Sequence, residues 1–234
     1  SLIFATAESG NLHWTTKMIE ELINFDKEHK TGFDFVIGTD EAGRGPGAGP
    51  VFAAAAAFLD YNAELVKDLE ELNDSKKLTE KKREFLYEKI IKHAVYSIKQ
   101  ASVEEIEKKN ILNASLDTMK SAVCDVIQQL KANNAKILID GNKKIKNFDA
   151  PMETVIKGDS KSASIAAASI LAKVSRDRFM LELDKKFPQY HWAKNKGYLS
   201  AEHITAIKSH GATVWHRKKF LRNILEEEKQ LSLL

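Results

Sequence analysis

Cysteine is almost absent from this chain of 234 residues: Cys124 stands alone. No internal disulfide can form, a cysteine-rich zinc site is excluded, and a reducing, cytoplasmic setting is expected. Long apolar runs are missing too. The longest, Val51 to Leu59, has nine residues, against the roughly 20 that span a bilayer. No basic stretch followed by an apolar one opens the chain, so neither a secretory signal nor membrane insertion is expected. Internal repeats and low-complexity segments are absent as well. What remains, 43% hydrophobic and 29% charged, is enough for a sizeable core. One large domain, or one domain plus an appendage, working as a monomer, is the expectation.

Charge of one sign is not in large excess, for the net value is +3. Its distribution is uneven. Residues 1–139 hold 18 Lys and Arg against 22 Asp and Glu, and residues 140–234 hold 18 against 11, giving −4 and +7. A basic second part suits a polyanionic partner, although basic solvated faces are common.

Hydrophobic periodicity divides the chain into an N-terminal arm (1–33), a core (34–188) and a C-terminal helical segment (189–234). The first ten residues show no clear period, and 15–30 reads as an amphipathic helix. Residues 33–40 and 51–59 read as strands joined by a glycine-rich turn, which predicts an antiparallel hairpin. Helices are expected at 62–72, at 79–93 with Thr79 as N-cap, and over 103–132 with a break near Asn110. Further strands are expected at 94–102, 135–140 and 154–157, then helices at 160–186, 200–209 and 218–230. Small residues such as Ala163, Ala166, Ala167 and Ala172 would let the long helix lie close to a sheet. The order predicts an α/β fold with a mixed sheet flanked by helices and a small helical C-terminal segment.

The turn from Gly43 to Pro50 matches neither a dinucleotide fingerprint nor a P-loop. Two of its glycines suit a hairpin turn, and the others suit a ligand approaching bare backbone, with Arg44 placed for a phosphate. Asp40 and Glu41 precede this turn, Asp140 ends another apolar strand, and Asp159 precedes the long helix, where helix capping is an alternative role. Each acid lies where a core element ends, so the four can converge. Two carboxylates about 4 Å apart repel by about 4 kcal/mol at an effective dielectric of about 20. Hard divalent cations relieve that repulsion, and all-oxygen ligation suits Mg²⁺ or Mn²⁺. Two such ions about 3.5–4 Å apart serve in-line phosphodiester displacement.

The segment Thr39-Asp40-Glu41-Ala42-Gly43-Arg44-Gly45-Pro46, with Gly49-Pro50, resembles the opening motif of type 2 ribonucleases H, specifically bacterial ribonuclease HII. The resemblance continues in order through Asn73-Asp74-Ser75-Lys76-Lys77-Leu78, Asn110-Ile111-Leu112 and Ile139-Asp140-Gly141-Asn142. It runs on through Lys157-Gly158-Asp159, residues 164–178, Lys196-Gly197-Tyr198, His203 and His216-Arg217, covering about 35–220. It implies an RNase H-like fold, with Asp40, Glu41, Asp140 and Asp159 as catalytic metal ligands. It implies that Gly43, Arg44 and Gly45 read a 2′-hydroxyl through the backbone, and that Tyr198 stacks near the sugar at an RNA–DNA junction. A 2′-hydroxyl is what separates RNA from DNA at such a site. The implied reaction cuts RNA in RNA/DNA hybrids and single ribonucleotides in duplex DNA, leaving 3′-hydroxyl and 5′-phosphate ends.

Gly47 and the Thr213-Val214-Trp215 segment depart from the family pattern. An Asp at position 159, and an N-terminal arm too short for a further domain, favour type HII over type HIII. The resemblance lifts Lys76 and Lys77 towards phosphate contact. Lys173 and Arg176, three apart on one helix, could reach one strand of the substrate. His191, His203, His210 and His216 read as surface or structural, Cys124 as buried packing, and Trp192 and Trp215 as core rather than stacking residues. A non-catalytic binder and a junction resolvase are the alternatives. The former would be expected to lose an acid and the latter needs no ribonucleotide. Finally, Gln230-Leu231-Ser232-Leu233-Leu234 resembles the short motif by which bacterial proteins dock on the sliding clamp, with Leu234 where Phe is commoner.

Overall fold

Short polar side chains start the helices. Asn62, Thr79, Ser102, Asn110, Ser162 and Ser200 each accept a hydrogen bond from the backbone amide three residues on, and a helix follows each one. The computed structural model describes residues 5–222, with side chains from residue 17 onward. The elements are α1 (Ala5–His29), β1 (Phe35–Ala42), β2 (Val51–Phe58), α2 (Ala63–Asp68), α3 (Glu80–His93) and β3 (Ala94–Ala101). After them come α4 (Val103–Lys109), α5 (Ile111–Leu130), β4 (Ala135–Asp140), β5 (Met152–Val155), α6 (Ala163–Lys186), α7 (Trp192–Asn195) and α8 (Ala201–His210).

The sheet has the order β3-β2-β1-β4-β5, antiparallel from β3 to β1 and parallel from β1 to β5. This is the expected mixed sheet, and the 43–50 turn joins an antiparallel pair as expected. Strand β2 reads Val-Phe followed by five alanines and Phe, and all eight residues are buried. Its two faces divide the core. Ala54, Ala56 and Phe58 meet α6, α3 and α1, whereas Ala53, Ala55 and Ala57 meet the Leu116, Met119 and Val123 side of α5. Small side chains on both faces let a helix approach closely on each. Gly38 shows how closely: a Cβ there would lie 2.2 Å from the Ser164 backbone of α6. The small-residue stretch of α6 has the role its composition suggests.

Several boundaries differ from the sequence reading, each for a local reason. Helix α1 begins at Ala5, and Ile19, Leu22 and Ile23 are buried in the same cluster as α6. The helix expected to 72 stops at Asp68. Strand β1 runs on to Ala42, because Ala42 still pairs with Phe52 of β2. Strand β5 is Met152–Val155, since the chain turns at Lys157, whose φ is +55°. A 3₁₀ turn at Gly158–Ser160 then intervenes, and Ser162 caps α6, so this helix starts at Ala163 rather than 160. The expected 218–230 helix begins differently: Lys218–Phe220 is a 3₁₀ turn and Arg222 is helical. Residues after 222 in that expectation lie outside the described residues, as does the 230–234 motif. Cys124 is exposed, which corrects the packing expectation: α5 turns Ala122, Val123 and Val126 to the sheet and leaves Cys124 outward. No helix among the described residues is long and apolar enough to cross a membrane.

Candidate active site

Register brings the first two acids together. Strands β1 and β4 run parallel with Phe35 opposite Ala135 and Thr39 opposite Ile139. Continuing that register sets Asp40 beside Asp140, and registered neighbours on parallel strands project from the same face. That face is the one α6 covers, because Gly38, two residues before Asp40, abuts α6. Glu41 follows on the other face. Strand β4 ends at Asp140, so no strand separates Glu41 from that acid. Asp40, Glu41 and Asp140 line one cleft of about 580 Å³.

Asp159 is outside the cleft lining. It lies in the 3₁₀ turn before α6, 3% exposed, and its Oδ2 is buried with no hydrogen-bond donor. Helix capping, the alternative for this residue, falls instead to Ser162. Asp140 Oδ1 accepts from the Gly158 amide at 2.7 Å, which ties the two acids to one turn.

Electrostatics record the crowding. Burial, then the charges of Glu41 and Asp140, push the Asp40 carboxyl well above its ordinary range. Glu41 is raised by burial and by Asp140, with Arg44 opposing at 3.1 Å. Asp159 is pushed up to about 6 by burial, then by Asp74 and Asp140. The donor set is all oxygen, partly without protein donors and mutually repulsive, which fits a hard divalent cation. Glu64, Asp68 and His93 also come together, away from the cleft, but Lys89 and Lys92 reach that acidic pair at 2.9 and 2.6 Å.

The remaining expected residues divide. Lys76, whose side chain is 80% exposed, lines the cleft with Nζ 3.8 Å from Asp159 Oδ2. Lys77 is exposed and outside the lining. Lys173 lines the cleft but donates to both carboxylate oxygens of Asp177 at 2.9 Å. Tyr198 is half exposed, and its ring edge lies 3.3 Å from where a Cβ on Gly45 would be. Arg176 lines the cleft from within the protein rather than from its surface. It is 2% exposed and donates to the carbonyls of Pro50, Ala48 and Lys196 at 3.3, 3.3 and 2.9 Å. An arginine on a basic helix face reads as solvent-facing; here the glycine turn folds over it. Gly43 has φ +99°, and a Cβ there would strike the Arg176 side chain at 2.1 Å. Only glycine fits.

Arg217, to which the resemblance assigns no role, holds the same turn. Fully buried, it donates to the carbonyls of Gly43 (2.7 Å), Arg44 (3.2 Å), Pro46 (2.8 Å) and Gly49 (2.9 Å). Burial, with the nearby Arg176 charge, pushes its guanidinium down to about 9. With the carbonyls drawn inward, the amides of Gly43, Arg44 and Gly45 have no backbone partner among the described residues. They border the cleft beside the carboxylates. Ser75 and Ser169, joined Oγ to Oγ at 3.0 Å, also line it, and the Ser169 hydroxyl opposes the upward push on the Asp40 carboxyl. The sequence reading assigns no role to either serine or to Asp74, although all three lie in stretches that carry the resemblance.

His203 and His216 are buried and structural. The Thr213 amide donates to His216 Nδ1 at 2.9 Å, which leaves the His216 Nε2 hydrogen facing His203 Nε2 at 3.1 Å. His203 donates from Nδ1 to the Tyr198 carbonyl at 2.9 Å. Burial holds both imidazoles neutral, His216 down to about 4. Trp192 is wholly buried among Tyr190, Met180 and Ile207, and Trp215 packs edge-on to Phe179, so the core reading of both tryptophans holds.

The family profile of ribonuclease HII matches residues 37–223, a span that includes every cleft residue named above. The chain belongs to the ribonuclease HII family. A ribonuclease HII of Fusobacterium nucleatum is 48% identical over 219 residues, covering 91% of this chain and 98% of that one. The structure of the PCNA:RNase HII complex from Archaeoglobus fulgidus contains a chain similar at 27% identity and TM-score 0.63, covering 78% of this chain and 93% of that one. Bst-RNase HIII in complex with Mn²⁺ shares the fold at TM-score 0.66 and 18% identity, covering 84% of this chain and 70% of that one. Membership makes the chain a ribonuclease H, a metal-dependent endonuclease acting on RNA in RNA/DNA hybrids.

Proposed function

We propose that this enzyme also incises duplex DNA at single ribonucleotides, by two-metal-ion hydrolysis that leaves 3′-hydroxyl and 5′-phosphate ends, in the cytoplasm. The observation that carries the reading is one cleft holding the Asp40, Glu41 and Asp140 carboxylates, the bare amides of Gly43–Gly45 and the Tyr198 ring. Asp40, Glu41, Asp140 and Asp159 would hold Mg²⁺ or Mn²⁺, whose chemistry is to activate water and neutralise charge on the phosphate. The glycine-turn amides donate to the 2′-hydroxyl, with no Cβ in the way. Tyr198 packs on the neighbouring sugar, and its place beside Gly45 limits what fits between them. Lys76 and Lys173 face the phosphates from the cleft wall. Lys77 contributes from outside it, and Arg176 contributes only through the turn that it supports.

A duplex carrying one ribonucleotide should be cut there in Mg²⁺ or Mn²⁺, an RNA/DNA hybrid should be cut along its RNA, and an all-DNA duplex should stay intact. Comparable cutting of the all-DNA duplex would overturn the reading in favour of a junction-type nuclease. Binding without cutting would leave a non-catalytic binder.

A second reading concerns location on DNA. The A. fulgidus enzyme was solved with PCNA, and Gln230, Leu231, Ser232, Leu233 and Leu234 supply a candidate clamp-docking motif here. Deleting 230–234 should remove retention on an immobilised bacterial sliding clamp and leave cleavage of free substrate unchanged. Equal retention with and without the motif would retire it.

A further inference from the structure

Asp26 is a carboxylate buried at 0% exposure in α1, outside the span of the family match and away from the cleft lining. Its side-chain oxygens accept three hydrogen bonds. Its Oδ1 accepts from Ser162 Oγ at 2.5 Å, and its Oδ2 accepts from the Ser164 amide at 2.8 Å and from Tyr61 Oη at 3.1 Å. Ser162 is the N-cap of α6 and holds the Ile165 amide at 3.1 Å. Ser164 lies one turn-step earlier, so its amide is another of the orphan donors that a helix start leaves free. Asp26 thus satisfies from outside what the helix cannot satisfy itself, with negative charge at the positive end of the helix.

The same few residues support the acids. The Ser162 amide donates to the Gly158 carbonyl at 2.9 Å, and the Gly158 amide donates to Asp140 Oδ1 at 2.7 Å. Asp159 is the next residue along this turn. The turn has little slack: a Cβ on Gly158 would meet Ile165 Cδ1 at 2.6 Å and Asp140 Oδ1 at 3.1 Å. Hydrogen bonds through Ser162 and Gly158 therefore link α1 to Asp140, and Asp159 is bonded to Gly158 along the chain.

We propose that Asp26 is a positioning residue for the metal-binding carboxylates, fixing the start of α6 and through it the aim of Asp140 and Asp159. This rests on the reading that those acids hold divalent ions. A helix cap with no such role would affect stability alone. A positioning role predicts weaker metal binding, smaller in effect than loss of a ligand's immediate partner.

The test is Mn²⁺ binding to the full chain without substrate, by calorimetry, for the wild type, Asp26→Asn and Ser162→Ala. The serine variant keeps the carboxylate but removes the hydroxyl through which it holds α6. Both should bind Mn²⁺ about three- to tenfold more weakly, below the 10–100-fold typical of direct ligand partners. Hybrid KM at saturating Mn²⁺ should stay within about twofold of wild type, and raising Mn²⁺ should restore kcat. If Asp26→Asn fails to fold, Ser162→Ala decides. Unchanged Mn²⁺ affinity in the folded variants, with only a lower melting temperature, would overturn the proposal. Absence of Mn²⁺ binding by the wild type would instead overturn the metal-site reading on which it rests.

Discussion

Asp140→Asn should bring hydrolysis of an RNA/DNA hybrid below detection while the variant still folds and binds the hybrid. Asp140 accepts from the Gly158 amide through Oδ1, and an asparagine oxygen can keep that bond. What is lost is negative charge facing Asp40, whose carboxyl is raised by burial, by Glu41 and by Asp140. The metal-free variant should therefore melt higher than the wild type, by about 2–4 °C for each kcal/mol of repulsion relieved. Adding Mn²⁺ should raise the melting temperature of the wild type by linkage and that of the variant far less. Asp40→Asn should behave in the same way. Near-wild-type turnover in either variant, or equal stabilisation by Mn²⁺, would remove these residues from the metal site.

Arg217→Lys should be the most damaging conservative change outside the acids. The guanidinium serves four carbonyls of the glycine turn from a fully buried position. A lysine has three donors on a point charge and cannot reproduce the fork. At least one buried carbonyl is orphaned, at about 1–3 kcal/mol for each, and the midpoint of urea unfolding should fall accordingly. Activity should fall as well at temperatures where the variant is folded, because the free amides of Gly43–Gly45 depend on carbonyls drawn inward. A variant with wild-type unfolding and turnover would show that the turn holds its shape unaided.

What the sequence made legible is the part governed by local pattern. The Val51–Phe58 run, the small residues of α6 and the acids at element ends are visible without coordinates. So is the hairpin, because a glycine-rich turn between two apolar runs leaves few alternatives. Long-range polar contacts were not visible. Arg176 resembled any arginine on a basic helix, and only the turn folding over it made it a buried carbonyl donor. Asp26 lay in a segment that read as a peripheral arm, since nothing local reveals that its partners are 136 and 138 residues away. Cys124 failed for a related reason: an apolar stretch says that a helix is buried, while its rotation decides which residue is not.

The Arg217 clamp joins residues 174 positions apart in the chain. All four acids have been translated by residue 159, but the guanidinium that holds the glycine turn comes 58 residues later. At about 5–20 residues per second, the glycine turn waits roughly 9–35 s on the ribosome for its clamp. A nascent or truncated chain ending between residues 159 and 217 thus carries all four acids while its glycine turn lacks that support. Synthesis therefore runs in an order that completes the acids first and the support of the glycine turn last.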